Sequence, residues 1–152
     1  MIFIEKIEDL SPDIAESLVE KAAAEAMHHQ AAPEGADVTI VLTDDTQLHD
    51  LNKEYLGVDA PTDVLSFPSD QTDPETGSRY LGDILISVER AAAQAAAAGH
   101  ATEAEVQLLV VHGVLHLCGH DHAEPQEKSR MWQAQAEILS KLGLGNIQVR
   151  EE

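Results

Sequence analysis

Residues 102–122 read TEAEVQLLVVHGVLHLCGHDH, and this stretch predicts the element around which the rest of the chain folds. We expect a helix from Thr102 to about Cys118, because Thr102 and Glu105 fit a capping box and Gly119 suits a left-handed helix end. The apolar residues of this segment fall on nearly every side of the helix: Val106, Leu108, Leu109, Val110, Val111, Val114, Leu115 and Leu117. A helix of this kind is normally buried, so the stretch predicts a central helix inside the core.

Three histidines lie at the end of this helix with the spacing H-x-x-x-H-x-x-x-x-x-H, namely His112, His116 and His122. The first two are four residues apart, so they project from one face of the helix. A turn at Gly119 lets His122 approach the same point. Core histidines are the alternative interpretation, but three uncompensated imidazoles in an apolar helix would be costly to bury.

Three neutral imidazoles, with water in a fourth position, are the ligand set of a catalytic zinc site. We therefore predict one zinc ion per chain, held by His112, His116 and His122. Iron, nickel and copper also accept imidazole ligands. Cys118 follows His116 by two residues and points away, about 200° around the helix, so we expect a packed core thiol. His100 is expected to lie at the surface.

The histidine spacing matches that of a class of zinc peptidases in which a glutamate directly after the first histidine is the general base. That position is Gly113 in this chain. Zinc lowers the pKa of a bound water to roughly 7, so the acidity of the metal can replace a dedicated base. Asp121 is a second candidate for handling the proton. It can orient a ligating imidazole or cap the turn, and the residues leave both roles open.

Composition limits the classes of function. The 152 residues suit one domain, 1–152, and the hydrophobic fraction of 43% favours a folded chain. The formal net charge of −19 argues against binding nucleic acid through bulk charge, so any RNA contact must be local and helped by metal. A lone cysteine, acidic residues early in the chain and the absence of a long apolar run predict a cytoplasmic protein.

The other elements are predicted from alternation, capping residues and turn formers. Strands are expected at 2–6, 38–43, 62–68 and 81–88. Helices are expected at 11–29, 44–56, 89–99, 102–118 and 126–141. Ser11 is the expected N-cap of the first helix and Pro12 its first residue, and Asp44 or Asp45 caps the second. The order β-α-β-α-β-β-α-α-α predicts an α+β layer structure with a small sheet.

The segment HGVLHLCGHDH, 112–122, resembles the signature of the YbeY family, bacterial zinc-dependent endoribonucleases of rRNA maturation. Two further blocks, PTDVLSFP at 61–68 and LGDILIS at 81–87, resemble blocks of the same family, and LNKEYLG at 51–57 also fits. The resemblance covers about Leu42 to His122. It implies a small mixed four-stranded sheet flanked by about five helices, with zinc held by the three histidines at the end of the central helix.

The resemblance also implies a function: single-strand-specific RNA cleavage, maturation of the small-subunit rRNA 3′ end and ribosome quality control. The implied partners are ribosomal RNA, the small ribosomal subunit and its assembly factors, with neither membrane nor DNA. Many family members carry an arginine where this chain has Leu56, and that arginine is thought to contact phosphate. Arg79 is the candidate replacement. We therefore name His116, Asp121 and Arg79 as candidate catalytic residues.

Two alternative functions remain open from the residues. A metallopeptidase-like hydrolase is disfavoured by Gly113 and by the position of Met131, which falls in a predicted helix rather than in a tight turn under the metal. A non-catalytic ribosome assembly factor with a structural zinc is kept open by the loss of basic residues around Leu56.

Overall fold

The computed structural model describes residues 1–147, and the order of its elements is the one predicted from the sequence. Their bounds are β1 (Ile2–Lys6), α1 (Glu16–His29), β2 (Asp37–Thr43), α2 (Asp45–Leu56), β3 (Val64–Pro68), β4 (Tyr80–Ser87), α3 (Val88–Ala98), α4 (Thr102–Leu117) and α5 (Pro125–Lys141). The predicted α+β class is confirmed, with the histidine cluster at the end of α4.

The sheet has four strands in the order β1-β2-β4-β3. β1, β2 and β4 are parallel, whereas β3 runs antiparallel to β4 at the edge, so the sheet is mixed as expected. Ile40 in β2 pairs with Ile4 on one side and with Ile84 on the other. Alternate residues of a strand face opposite sides, and Ile40 and Ile84 belong to the main core with residues of α1, α4 and α5. On the other face, Leu48 of α2 packs with Leu65 and Leu85.

α4 lies in the centre of this core. It contacts α1, α3, α5, β3 and β4, and its apolar side chains are almost entirely removed from solvent. Fully burying one valine or leucine side chain stabilises a fold by roughly 1.5–3 kcal/mol, so this helix contributes a large share of the core. Although α4 is apolar nearly all round, no helix among residues 1–147 combines the length and apolar character needed to cross a membrane.

Gly113 explains how closely α4 approaches the sheet. A β-carbon at this position would lie 2.7 Å from Cγ2 of Ile84 and 3.0 Å from its Cδ1, both closer than ordinary contact. Ile84 is fully buried in β4 and has little room to move. The residue after the first histidine therefore faces the sheet rather than the metal site, and a glutamate would not fit there.

The start of α1 differs from the prediction. The helix begins at Glu16 with Ala15 as its N-cap, and no side chain caps it. Ser11 as N-cap and Pro12 as the first helical residue were wrong. Ile14 is fully buried, so the segment before the helix places an apolar side chain in the core instead of adding a helical turn.

The capping box predicted for α4 was also wrong. Thr102 is the first helical residue, Ala101 is the N-cap, and no side chain caps this end. Glu105 is fully buried, and Nε2 of His100 lies 2.6 Å from its Oε1. A buried carboxylate requires such a partner. The same contact draws His100, expected at the surface, into the protein, where its side chain is 16% exposed.

We expect Gly113→Ala to destabilise the protein by about 1–2 kcal/mol, because overpacking a core costs roughly 1–3 kcal/mol and the better helix propensity of alanine returns up to about 1 kcal/mol. Urea unfolding measures the change in the free energy of unfolding. In an Ile84→Ala background the same substitution should cost much less, because the crowded atoms are gone. An equal cost in both backgrounds would contradict the packing explanation.

Candidate metal centre

The structure brings the three predicted ligand histidines together. The ring centroids of His112 and His116 are 4.7 Å apart, and the ring of His122 lies 5.8 Å from the first and 5.4 Å from the second. One ring nitrogen from each residue lies within 4.8 Å of the other two. The Nε2 atoms of His112 and His116 are 3.1 Å apart, so both rings present the same atom to the centre of the cluster.

The turn at the end of α4 positions the ring of His122 beside the other two. Gly119 has φ +98°, a conformation that favours glycine, and turns the chain back as predicted. The backbone N–H of His120 donates to the carbonyl of Leu115 at 2.9 Å, the long return bond of a Schellman motif. Oδ1 of Asp121 then accepts the backbone N–H of His122 at 2.7 Å. These bonds fix the reversal that carries His122 to the other two rings.

The donor set fits a zinc ion. Ligands about 2.0–2.1 Å from a tetrahedral ion lie about 3.3 Å from one another, close to the 3.1 Å between the Nε2 atoms of His112 and His116. Burial, and after it the nearby His116, lowers the pKa of His112 from 6.5 to about 4. Burial and then His122 also lower the pKa of His116. These two imidazoles are therefore neutral near pH 7, the form that binds metal.

A glutamine that the sequence reasoning missed completes the surroundings of His112. Oε1 of Gln135 lies 3.1 Å from Nδ1 of His112, on the opposite side of the ring from the cluster. Gln135 is 2% exposed and lies on the buried face of α5 with Met131 and Ile138. A polar residue at a position that the helical period assigns to the core was the available signal for its role.

Trp132 forms a wall of the site. Its ring centroid lies 6.1 Å from that of His112 and 5.7 Å from that of His122. Nζ of Lys128, one helical turn earlier on α5, lies 6.0 Å from the tryptophan ring centroid. The last helix therefore borders the histidine cluster with an aromatic ring and a nearby cation.

A second carboxylate lies near the cluster. Asp63, in the PTDVLSFP block, is 4% exposed and accepts a hydrogen bond from Nε2 of Gln94 at 3.3 Å. Its charge acts on His112 and opposes the lowering of that pKa by burial. In the same block, the hydroxyl of Ser66 donates to the carbonyl of Gly113 at 3.5 Å. This block therefore packs against α4 directly beside the first histidine.

Arg79 lies beside the turn at the end of α4. It lines a cavity of about 320 Å³ with Leu117, Cys118 and Gly119. Cys118, expected in the core, is only half-buried here. Burial raises the pKa of its thiol, and the charge of Arg79 acts in the opposite direction. Leu56, at the position where many family members carry an arginine, is 60% exposed and brings no charge.

Comparisons with known proteins agree with these features. The family model described as Endoribonuclease YbeY matches residues 3–143. A relative from Chloroflexus aurantiacus, named Endoribonuclease YbeY, is 50% identical over 133 residues that cover 84% of this chain and 86% of that protein. A relative of the same name from Desulfitobacterium hafniense is 47% identical, covering 84% and 85%. The resemblance noted in the sequence is confirmed.

A solved structure supports the fold. The solution structure of TM1509 from Thermotoga maritima superposes with a TM-score of 0.60 and covers 99% of this chain and 97% of that one. The two sequences are 21% identical, so this likeness supports the architecture alone.

We expect the protein to bind one zinc ion, and His112→Ala, His116→Ala and His122→Ala each to lose it. Elemental analysis after dialysis measures the metal content. Zinc should also raise the melting temperature, because a ligand that binds only the folded state stabilises it. His49→Ala is the matched control, since His49 lies on α2 and pairs with Asp59. Equal metal content in all four variants would exclude this site.

The metal-free protein should lose stability as the pH falls from about 6.5 towards about 4, the interval between the ordinary and the folded pKa of His112. Within it the unfolded chain binds a proton at this residue and the folded chain does not, so acidification favours unfolding. Urea unfolding across this range measures the slope. His112→Asn should flatten it, whereas Gln107→Met, at another buried position of α4, should not. The same slope in both variants would contradict the pKa assignment.

Proposed function

The chain belongs to the YbeY endoribonuclease family, and we propose that it is a zinc-dependent endoribonuclease that cleaves single-stranded RNA at the three-histidine centre. The observation that carries this proposal is the convergence of ring nitrogens from His112, His116 and His122 within 4.8 Å of one another. Relatives at 47–50% identity carry the name endoribonuclease, and their matches cover most of the chain.

The proposed biological role is maturation of the 3′ end of small-subunit rRNA, together with ribosome quality control. Ribosomal RNA, the small ribosomal subunit and its assembly factors are the proposed partners. We propose that this activity takes place in the cytoplasm and that residues 1–152 form the single domain that carries it. Family membership and the three blocks that resemble the family support this role.

A zinc ion held by the three histidines would acidify a water molecule and withdraw charge from a phosphoryl oxygen. The chain's own residues prepare the site for this chemistry. Burial keeps His112 and His116 in the neutral form. Asp121 holds the turn through the N–H of His122, and its exposed carboxylate is the proposed proton acceptor from a water or a 2′-hydroxyl. Trp132 shields one side of the cluster.

The surface charge requires local contacts with RNA. At a net charge of −19 the protein repels a polyanion over long distances. Several cations are already engaged, such as Arg90 with Asp45 at 3.2 Å and Lys6 with Asp13 at 3.0 Å. The guanidinium of Arg79, by contrast, makes no hydrogen bond or ion pair with any residue of the range 1–147. We therefore propose that Arg79 binds a phosphate of the RNA strand, the role that the family arginine at the position of Leu56 would fill.

The metallopeptidase alternative is not supported by the surroundings of Gly113. The position of the peptidase base faces Ile84 of the sheet and leaves no space for a carboxylate. Met131 is fully buried within α5 rather than in a turn below the histidines. A non-catalytic assembly factor would instead be indicated by a zinc-loaded protein that binds ribosomal RNA without cleaving it.

We expect zinc-loaded protein to cleave a single-stranded rRNA fragment and His116→Ala to be inactive. Arg79→Ala should lower cleavage roughly tenfold to a hundredfold, because a hydrogen bond to a charged group contributes about 1.5–3 kcal/mol. Its metal content should stay unchanged. Lys21→Ala is the matched control, since it removes one positive charge from an exposed position of α1.

The salt dependence of RNA binding gives a second measurement of the same contact. Few phosphates are neutralised, so the logarithm of the affinity should fall only slightly with the logarithm of the salt concentration. A slope equivalent to about six or more phosphates would reveal a basic groove and overturn the proposal for Arg79. Full activity of Arg79→Ala would do the same.

A further inference from the structure

Gln135 is a buried amide on an otherwise apolar helix face. It is 2% exposed, and its neighbours on the same face of α5 include Met131, Ala134, Ile138 and Leu139, none of them more than 6% exposed. Burying an amide without a hydrogen bond costs free energy, so a leucine or methionine would suit the packing better. The contact that compensates for the burial is the one from Oε1 of Gln135 to Nδ1 of His112, at 3.1 Å.

This contact selects one of the two neutral tautomers of the His112 ring. With Oε1 of Gln135 turned towards the ring, Nδ1 of His112 carries the proton, because a carbonyl oxygen only accepts hydrogen bonds. A neutral imidazole has a single N–H, which leaves Nε2 with a free lone pair. Nε2 is the atom that lies 3.1 Å from Nε2 of His116, inside the cluster. The opposite form would direct an N–H into the cluster and could not donate electrons to a cation.

We propose that Gln135 is a positioning residue that holds His112 with its proton on Nδ1 and so presents Nε2 to the metal. The inference rests on the proposed metal binding by the three histidines and extends it to a residue on another helix. Gln135 acts through His112 and does not itself reach the metal. It makes the affinity for metal depend on how α5 is docked against α4.

A glutamine at this position does not enforce the tautomer strictly. Its amide can also donate through Nε2, so a rotated side chain would stabilise the wrong form of the ring. An ionised glutamate at the same place could only accept. Gln135→Glu should therefore bind metal at least as tightly as the natural protein, whereas Gln135→Met, which keeps the length of the side chain but loses the acceptor, should bind more weakly.

The experiment has two readouts. Nitrogen-15 NMR of the metal-free protein reports which nitrogen of His112 carries the proton, and competition with a chromogenic chelator gives the dissociation constant for zinc. The variants are Gln135→Met, Gln135→Glu and the matched control Gln107→Met. Gln107 is also a buried glutamine, 6% exposed, but it lies on α4 and donates to the carbonyl of Leu18 at 3.1 Å.

The proposal predicts a proton on Nδ1 in the natural protein and zinc binding weakened about 10–100-fold by Gln135→Met. Gln107→Met should lower stability without changing zinc affinity. A proton on Nε2 of His112 in the natural protein, unchanged affinity in Gln135→Met, or Gln135→Glu as weak as Gln135→Met would overturn it. If the natural protein bound no zinc, the proposed function would fail, while the NMR readout would still decide what Gln135 does to the ring.

Discussion

The close packing of α4 against β4 is the contact on which the rest of the structure depends. Gly113 allows it, because any side chain there would collide with Ile84 in the middle of the sheet. The same contact sets the rotation of α4 about its axis. With Gly113 against the sheet, His112 and His116 emerge beside α5 and the returning turn. The apolar core and the histidine site are therefore two consequences of one orientation of a single helix.

The site is buried and polar at the same time, and this combination leaves its histidines able to bind a cation. Burial keeps His112 and His116 uncharged, so their nitrogens remain available to a cation near neutral pH. A bound cation would in turn connect α4 with the segment after Gly119, so metal binding and folding are coupled. Gln135 of α5 adds a third segment to this coupling. If the protein cleaves RNA as proposed, its net charge of −19 would confine RNA recognition to this small region and to cations such as Arg79.

Local pattern predicted those parts of the structure that depend on local geometry. The extent of α4, the reversal at Gly119 and the convergence of the histidines all follow from helical spacing and from the conformational freedom of glycine. The errors arose where a residue serves a distant partner. Glu105 has the spacing of a capping box, but its carboxylate pairs with His100 inside the protein. Ile14 packs in the core and does not form an early turn of α1. Gln135 was missed because its partner lies 23 residues away on another helix.

On the function proposed above, metal in the three-histidine centre is what enables this protein to cleave RNA. Trp132 is the single tryptophan and lies 5.7 Å from the ring of His122, so its fluorescence should report occupancy of the site. The direct measurement is a zinc titration of metal-free protein that follows this fluorescence and the cleavage of single-stranded RNA in the same sample. Our account predicts that both signals rise together and level off at one zinc ion per chain. Cleavage by the metal-free protein at the full rate, or cleavage that begins only after the fluorescence has levelled off, would contradict it.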